Sequence, residues 1–403
     1  MRLLATLALV VVAFSGSVAA GTPRVYPGVN LLLASYTEVL AGKRIGVITH
    51  RAGADAEGWP TNLRLATDPR LNVVAFFAPE HGLAGDLPAG AYVPAQAGKI
   101  PTYSLYSSLR RPSAEMLAGI DAFVFDLQDV GMRAYTYIST MAYAMQAAAA
   151  ADKLFVVLDR PNPLGGERVD GPVLDPAFES FIGIYPIPVV HGMTIGELAQ
   201  FFNREFGIGA RLVVIPMFGW QASMQWEDTG LPWFRPSPNI PSPTAAQLHA
   251  ATGLMEGTNL WVGVGTSIPF EVVLARWIQG YLLADRLNER ELPGVTFEPY
   301  AVDRGGKRYS GVRLVLTDAR RFQPATTAVH ILDAIQRLHP GTLEFRAKSG
   351  TRYMFDLVWG TDEVRKGLLR GDPAAVIVAR WAEEVRRFGE TRRQYLLYPR
   401  STQ

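Results

Sequence analysis

Five short apolar runs constrain this chain more than any other feature: Arg44–Thr49 (RIGVIT), Asn72–Ala78 (NVVAFFA), Ala122–Leu127 (AFVFDL), Leu154–Leu158 (LFVVL) and Arg211–Pro216 (RLVVIP). None alternates apolar with polar residues. Each therefore needs cover on both faces, the condition of a parallel sheet between helices. Helical patterns separate them. Ser139–Ala151 is a strong helix with Ser139 or Thr140 placed to cap it, and Thr194 with Glu197 three residues on reads as a capping box. This β-α-β-α order predicts an α/β chain with a Rossmann-like, doubly wound sheet.

Length and proline set the domain organisation. The start, 1–20, has a secretory pattern: Arg2, then an apolar run Leu3–Phe14, then the small residues Ser17, Ala19 and Ala20. The run is too short to span a bilayer, which takes roughly 20 residues, so a cleaved signal and an exported, periplasmic or extracellular protein are expected. The rest of the chain is longer than one hydrophobic core usually serves. Proline and tryptophan crowd Gly219–Thr244, a stretch that cannot be a central strand or a helix interior. It is read as a structured loop closing an N-terminal domain, 21–246, before a smaller α/β domain, 247–403. Strand Val312–Leu316 and helices Thr327–Leu338 and Ala374–Arg387 are expected in the latter.

The absence of cysteine excludes disulfides, thiolate nucleophiles and cysteine-bound zinc. A formal net charge of +2, with no basic run interleaved with aromatics, gives no reason to expect nucleic acid. No feature of the sequence specifies an oligomer.

In an open α/β sheet, ligands bind outside the carboxyl ends of the strands. The first four runs lead into His50-Arg51, Pro79-Glu80-His81-Gly82, Asp126 to Arg133 (DLQDVGMR) and Asp159-Arg160-Pro161-Asn162. Strand ends are exposed in any case, yet charge at all four exceeds that expectation. No glycine fingerprint comes after the first strand, and neither a P-loop nor a G-x-S-x-G elbow occurs. Histidine spacing supports no metal site, although His50, His81, Asp126 and His191 are the residues one would use. Carboxylates accompanied by arginine and aromatics fit glycoside hydrolysis, which takes a carboxylic acid at the leaving oxygen and usually a second group across the ring. Glu80, behind Phe76, Phe77, Ala78 and Pro79, is the candidate general acid; a pairing with Arg51 is its plainer reading. Asp126 and Asp129 compete as the second carboxylate, and Asp126 can equally orient its neighbours. Tyr135 and Tyr137 share one side of an extended segment, as core or as sugar platforms. Arg133 and Arg160 can fork a carboxylate or close salt bridges. Glu256, Asn259 and Glu271 can reach in from the second domain.

The series APEHG (Ala78–Gly82), FDLQDVGMR (Phe125–Arg133), AYTYISTM (Ala134–Met141), LDRPNPLGG (Leu158–Gly166), HGMTIGEL (His191–Leu198), LPWFRPSPNIP (Leu231–Pro241) and EGTN (Glu256–Asn259) closely resembles the NamZ-type exo-β-N-acetylmuramidase family. The resemblance extends from about Gly28 to Tyr398, nearly the whole chain after the signal. It implies a Rossmann-like domain with a smaller α/β domain, release of terminal N-acetylmuramic acid from peptidoglycan fragments, and no metal or organic cofactor. It also implies that the catalytic Glu falls on Glu80. The motifs place His81, Arg133, Tyr135, Tyr137, Asp159, Arg160, Asn162, His191, Asn239, Glu256 and Asn259 as substrate-binding candidates, with the substrate's lactyl carboxylate a partner for Arg133 or Arg160. Two departures stand out: His50-Arg51 replaces an Asn-containing turn, and Gly263-Val264-Gly265-Thr266 lacks the arginine of a Gly-Arg-Gly-Thr turn. The alternatives are hydrolysis of a different amino sugar and an exported, two-lobed saccharide-binding protein.

Overall fold

The computed structural model describes residues 25–350 and 352–400. The expected signal segment lies outside them. No helix among the described residues is long and apolar enough to cross a membrane.

Strands β1 (Arg44–Thr49), β2 (Asn72–Ala78), β3 (Thr102–Ser104), β4 (Ala122–Asp126) and β5 (Leu154–Leu158) are followed by a small antiparallel pair, β6 (Asp170–Val173) and β7 (Pro188–Val190), and then by β8 (Arg211–Ile215). Six of them form one parallel sheet in the order β3-β2-β1-β4-β5-β8. This is the doubly wound arrangement expected from the apolar runs: the chain starts at the centre, winds outward through β2 and β3, then crosses β1 to build the other half. The topological switch therefore lies between β1 and β4. The sequence pattern did not show β3, because three residues behind Pro101 are too few to show a period.

Phe77, Phe123, Phe125 and Phe155 project to one face of the sheet, where the helices Tyr137–Ala150 and Ile195–Glu205 cover them. Val47, Val124, Val156 and Leu158 face the other side, under Val29, Leu32 and Leu65. The helix Tyr137–Ala150 begins two residues before the expected cap. Ser139 and Thr140 are buried inside it, and Thr136 holds the cap position without capping. Thr194 and Glu197 do form the reciprocal capping box.

Strand β9 (Val272–Ala275) joins the hairpin β10 (Val295–Arg304) and β11 (Lys307–Leu316) in a three-stranded antiparallel sheet ordered β10-β11-β9. Gly305 and Gly306 make the two-residue turn, both at positive φ, as a hairpin of matching twist requires. Helix Pro324–Leu338 packs against β6 and the helix Pro243–Thr252, so the hydrophobic core runs without a break from the parallel sheet into the C-terminal part. The expected helix Ala374–Arg387 is two helices, Ala374–Ala379 and Ala382–Arg392, broken where Trp381 turns inward toward Trp359. The chain end returns to the parallel sheet. Leu397 N–H and Arg400 donate to Glu197, and the Tyr398 hydroxyl accepts from Met217 N–H.

Candidate active site

Polar residues at the carboxyl edge of the sheet fall into two groups. The first fills the switch point itself. Asp126 ends β4 fully buried. One oxygen accepts from Arg160 Nε, and the other accepts from Arg160 Nη2 at 2.8 Å and from the Thr61 hydroxyl. Arg160 Nη2 also donates to the Ala54 carbonyl at 2.7 Å. Gly53 lets the β1 loop lie this close, since a Cβ there would sit 2.6 Å from the Asp126 carbonyl oxygen. The crevice where a nucleotide would bind in such a sheet is thus plugged by a buried ion pair.

Next to it, Asp159 accepts from Arg160 N–H, Gly196 N–H, the Thr194 hydroxyl and the Tyr398 hydroxyl. Asn162 donates to Met193 O and accepts from Leu164 N–H, so it shapes its own turn. Arg133 is completely buried, and its partners are the carbonyls of Pro172, Ile187 and Val358. Burial pushes its guanidinium down to about 9. Asn259 clasps Thr342 O and Glu344 N–H, while Glu271 pairs with Arg313. Asp126, Asp159, Arg160, Asn162 and Asn259 therefore have their hydrogen bonds committed to the fold. Arg133 keeps an unpaired Nε, but it is fully buried with both terminal nitrogens on carbonyls, so neither arginine presents a fork to a ligand.

The second group gathers above β2. Glu80 leaves the sheet only 7 % exposed. One oxygen accepts from Gly90 N–H at 2.8 Å and the other from the Thr136 hydroxyl at 2.7 Å. Thr136 stands at the start of the helix Tyr137–Ala150, whose first turn carries no acid of its own. Glu80 supplies the negative charge which the unpaired N–H groups of a helix start favour. The Tyr106 hydroxyl faces both Glu80 and Arg110; burial and the Glu80 charge push it up to about 12. Glu256 reaches in from the C-terminal part, where burial and then the Glu80 charge raise its carboxyl, and Lys348 opposes them. Glu256 is nevertheless exposed at the surface, and it lies close enough to Glu80 for the two carboxyl charges to act on one another.

Behind these carboxyls the proline-rich loop is pinned through one atom. The Pro236 carbonyl accepts from the Tyr135 hydroxyl at 2.8 Å, the Tyr137 hydroxyl at 2.7 Å and His50 Nε2 at 3.2 Å. His50 Nδ1 accepts from Ala52 N–H, which assigns the proton to Nε2. Burial, with the charges of His81 and Arg160, takes this imidazole down to about 3. The tyrosine pair, packed edge-on at 4.8 Å, thus anchors the loop through its hydroxyls. Asn239 lies half-buried on that loop, its N–H bound to Ser237. His81, at φ +73°, donates from Nδ1 to Leu87 O, which leaves Nε2 for another partner. His191 Nε2 lies 3.6 Å from Asp129, whose other oxygen has no partner. Asp129 also accepts from Gly131 N–H, and its charge acts on both tyrosines. No group of three or more His, Asp or Glu that could hold a metal ion occurs among the described residues.

Glu80, His81, Tyr135, Tyr137, Asp129 and Glu256 are thereby brought together. Four further residues belong with them: Thr136, Tyr106, Arg110, and His249, whose ring stands edge-on to Tyr135 at 6.2 Å. The only trace of Tyr106 and Arg110 in the sequence is an aromatic and a basic residue in the polar stretch after Ser104.

The chain is thus a Rossmann-like α/β protein with carboxyls, tyrosines and an arginine gathered at the carboxyl edge of its parallel sheet. Residues 45–244 match the N-terminal profile, and residues 247–398 the C-terminal profile, of the exo-β-N-acetylmuramidase NamZ family, to which the chain belongs. It is 42% identical to the peptidoglycan β-N-acetylmuramidase NamZ of Bacillus subtilis (strain 168) over 390 residues, which cover 93% of this chain and 92% of that protein. Two crystal structures of DUF1343 family proteins from Bacteroides fragilis share the fold. One has a TM-score of 0.85 at 35% identity, covering 93% of this chain and 99% of the other; the second has 0.71 at 30%, covering 94% and 100%.

Proposed function

We propose that the chain is an exo-acting glycoside hydrolase that releases terminal N-acetylmuramic acid from peptidoglycan fragments. The observation that carries this is Glu80, buried and held at both oxygens at the carboxyl edge of the sheet with Glu256 near enough to sense its charge, in a chain 42% identical to a peptidoglycan β-N-acetylmuramidase. Glycoside hydrolysis asks for a group that hands a proton to the leaving oxygen and a second group on the far side of the ring. Glu80 is the proton-transferring residue: both its oxygens are held, so its direction is fixed before substrate arrives. Glu256 takes the second role that the sequence left between Asp126 and Asp129, since Asp126 is locked to Arg160. Asp129 and His191 form the polar wall behind the tyrosines. The residues themselves supply both proton-transfer groups, so the reaction is written without a cofactor.

Export to the periplasm or the medium fits both the pattern of Met1–Gly21 and a cell-wall substrate. Fractionation of cells producing the full chain tests it, and retention in the cytoplasm would count against it. The activity itself is tested on a β-linked N-acetylmuramic acid–N-acetylglucosamine disaccharide, with products followed by mass spectrometry. Both free sugars are expected, and an intact disaccharide in the presence of folded protein would overturn the reading.

A further inference from the structure

We propose that Arg110 is the specificity-determining residue of this site, the cation that takes the carboxylate of an acidic terminal sugar. The inference rests on the muramidase reading and adds the residue that distinguishes an acidic amino sugar from a neutral one.

An N-acetylmuramic acid residue differs from N-acetylglucosamine by a lactyl ether on O3, whose carboxylate gives the sugar its one negative charge. A cleft that selects it needs a cation, and the two arginines expected to serve are both committed. Arg133 is spent on three carbonyls, and Arg160 is locked to Asp126. Val264 occupies a turn position where an arginine is absent. Lys348 has Glu256 within reach of its charge.

Arg110 differs from all of these. Its guanidinium carbon lies over the Tyr106 ring, 3.5 Å from the centroid, and over the Phe181 ring at 4.9 Å. Stacking fixes the plane of a guanidinium while leaving its edge, where the N–H groups point, for a planar anion. Nη1 is enclosed and has no hydrogen-bond partner. Among the described residues no carboxylate forms an ion pair with Arg110, whereas Arg44, Arg70, Arg160 and Arg365 all have one. Tyr106 is the link to the chemistry, since its hydroxyl faces Glu80 and Arg110 together. The cation thus stands about one tyrosine side chain from the proton-transferring carboxyl. The aromatic shelf is itself fixed, because Tyr106 packs with Ala78 and Val93, and its carbonyl accepts from Val93 N–H. Arg110 is half-buried, so its stem is held by the ring while part of the guanidinium stays open to a ligand.

The test couples a change in the protein to a change in the substrate. Arg110→Met keeps an aliphatic stem on Tyr106 and removes the fork; Arg110→Lys keeps the charge and loses the planar edge. Each is compared with the native chain on para-nitrophenyl β-N-acetylmuramide and on the same glycoside with its lactyl acid converted to the amide. The native chain is expected to prefer the acid by about 100-fold in kcat/KM, mostly through KM, and Arg110→Met by less than about threefold. Arg110→Lys should fall between them. An undiminished preference in folded Arg110→Met overturns the inference. A native chain that cleaves acid and amide equally also overturns it, while the muramidase reading stands. A native chain that cleaves neither overturns both.

Discussion

The two halves of the sheet's carboxyl edge carry similar residues and use them in opposite ways. Around β4 and β5, Asp126, Arg160, Asp159 and Asn162 bond one another, the backbone or the hydroxyls of Thr61, Thr194 and Tyr398. Above β2, Glu80, the Tyr106–Arg110 stretch and Glu256 come from three segments whose charges act on one another, and Arg110 still carries an unpaired N–H. Charge at a strand end is therefore not what marks a reactive group. Saturation separates the Asp126–Arg160–Asp159 network from its surroundings, where Asp129 Oδ1, Arg133 Nε and Arg110 Nη1 keep no partner. A buried carboxylate whose lone pairs are filled by the fold stabilises the fold, and only an incompletely satisfied cluster has something left for a ligand.

The largest effect expected is on turnover above β2. Glu80→Gln keeps an oxygen to accept from Gly90 N–H and turns an amide N–H toward the Thr136 hydroxyl, which can accept it, so the fold should be retained, while kcat falls by about 1000-fold. Unchanged turnover on the disaccharide would remove Glu80 from the chemistry and break the comparison at its centre. Asp126→Ala probes the other half. It strands Arg160, which is 4 % exposed, beside an empty partner position. Loss of one member of a buried pair costs about 3–5 kcal/mol, measured as a lower urea midpoint. Native stability with abolished activity would instead return Asp126 to the reacting groups.

What the sequence made legible divides along the same line. The strands β1, β2 and β5 were readable to the residue, because a buried parallel strand needs an unbroken apolar run. Thr194 and Glu197 were readable as a cap, because both halves of that interaction lie within one turn. Glu80 was singled out for the same kind of reason, a lone acid behind two phenylalanines. The fates of Arg133 and Arg160 were not legible. Whether an arginine meets a ligand, an aspartate or three carbonyls depends on Pro172, Ile187 and Val358, which are far from Arg133 in the chain. Thr136 was missed because its hydroxyl leaves the helix it begins and serves Glu80. Tyr106 and Arg110 come after a strand too short to show a period, so nothing local marked them.

Between the two halves stands His50, and it connects stability to pH. Its imidazole is 1 % exposed and is held near 3, against 6.5 when the chain unfolds. A base whose folded pKa is depressed excludes the proton from the native state, so the unfolded state binds more protons throughout that window. Stability from this group is present above 6.5 and is lost as pH falls from there toward 3. The slope is at most about 1.4 kcal/mol per pH unit, or about 2 kcal/mol between pH 8 and pH 5. His50→Gln should flatten that slope by one proton in urea titrations across the range. An identical slope in the variant would mean that His50 does not couple the Pro236 anchor to acid.

The smallest effect tests whether the β5 side is a distributed network. The Thr194 hydroxyl accepts from Glu197 N–H at 3.2 Å and donates to Asp159 at 2.8 Å, so one atom serves both a helix start and a buried carboxylate. Loss of an N-cap side chain costs about 1 kcal/mol. Asp159 would keep three of its four donors, so Thr194→Ala should cost little more than the cap. Thr194→Ser keeps the hydroxyl and should recover most of that difference. If Thr194→Ala costs several times more, Asp159 does not tolerate the loss of one donor, and the network is as cooperative as the Asp126–Arg160 pair. A loss near 1 kcal/mol means that redundancy protects this side. In that case the Asp159 network withstands substitution because it is built from many small bonds, and the Asp126–Arg160 pair does not because one contact carries it.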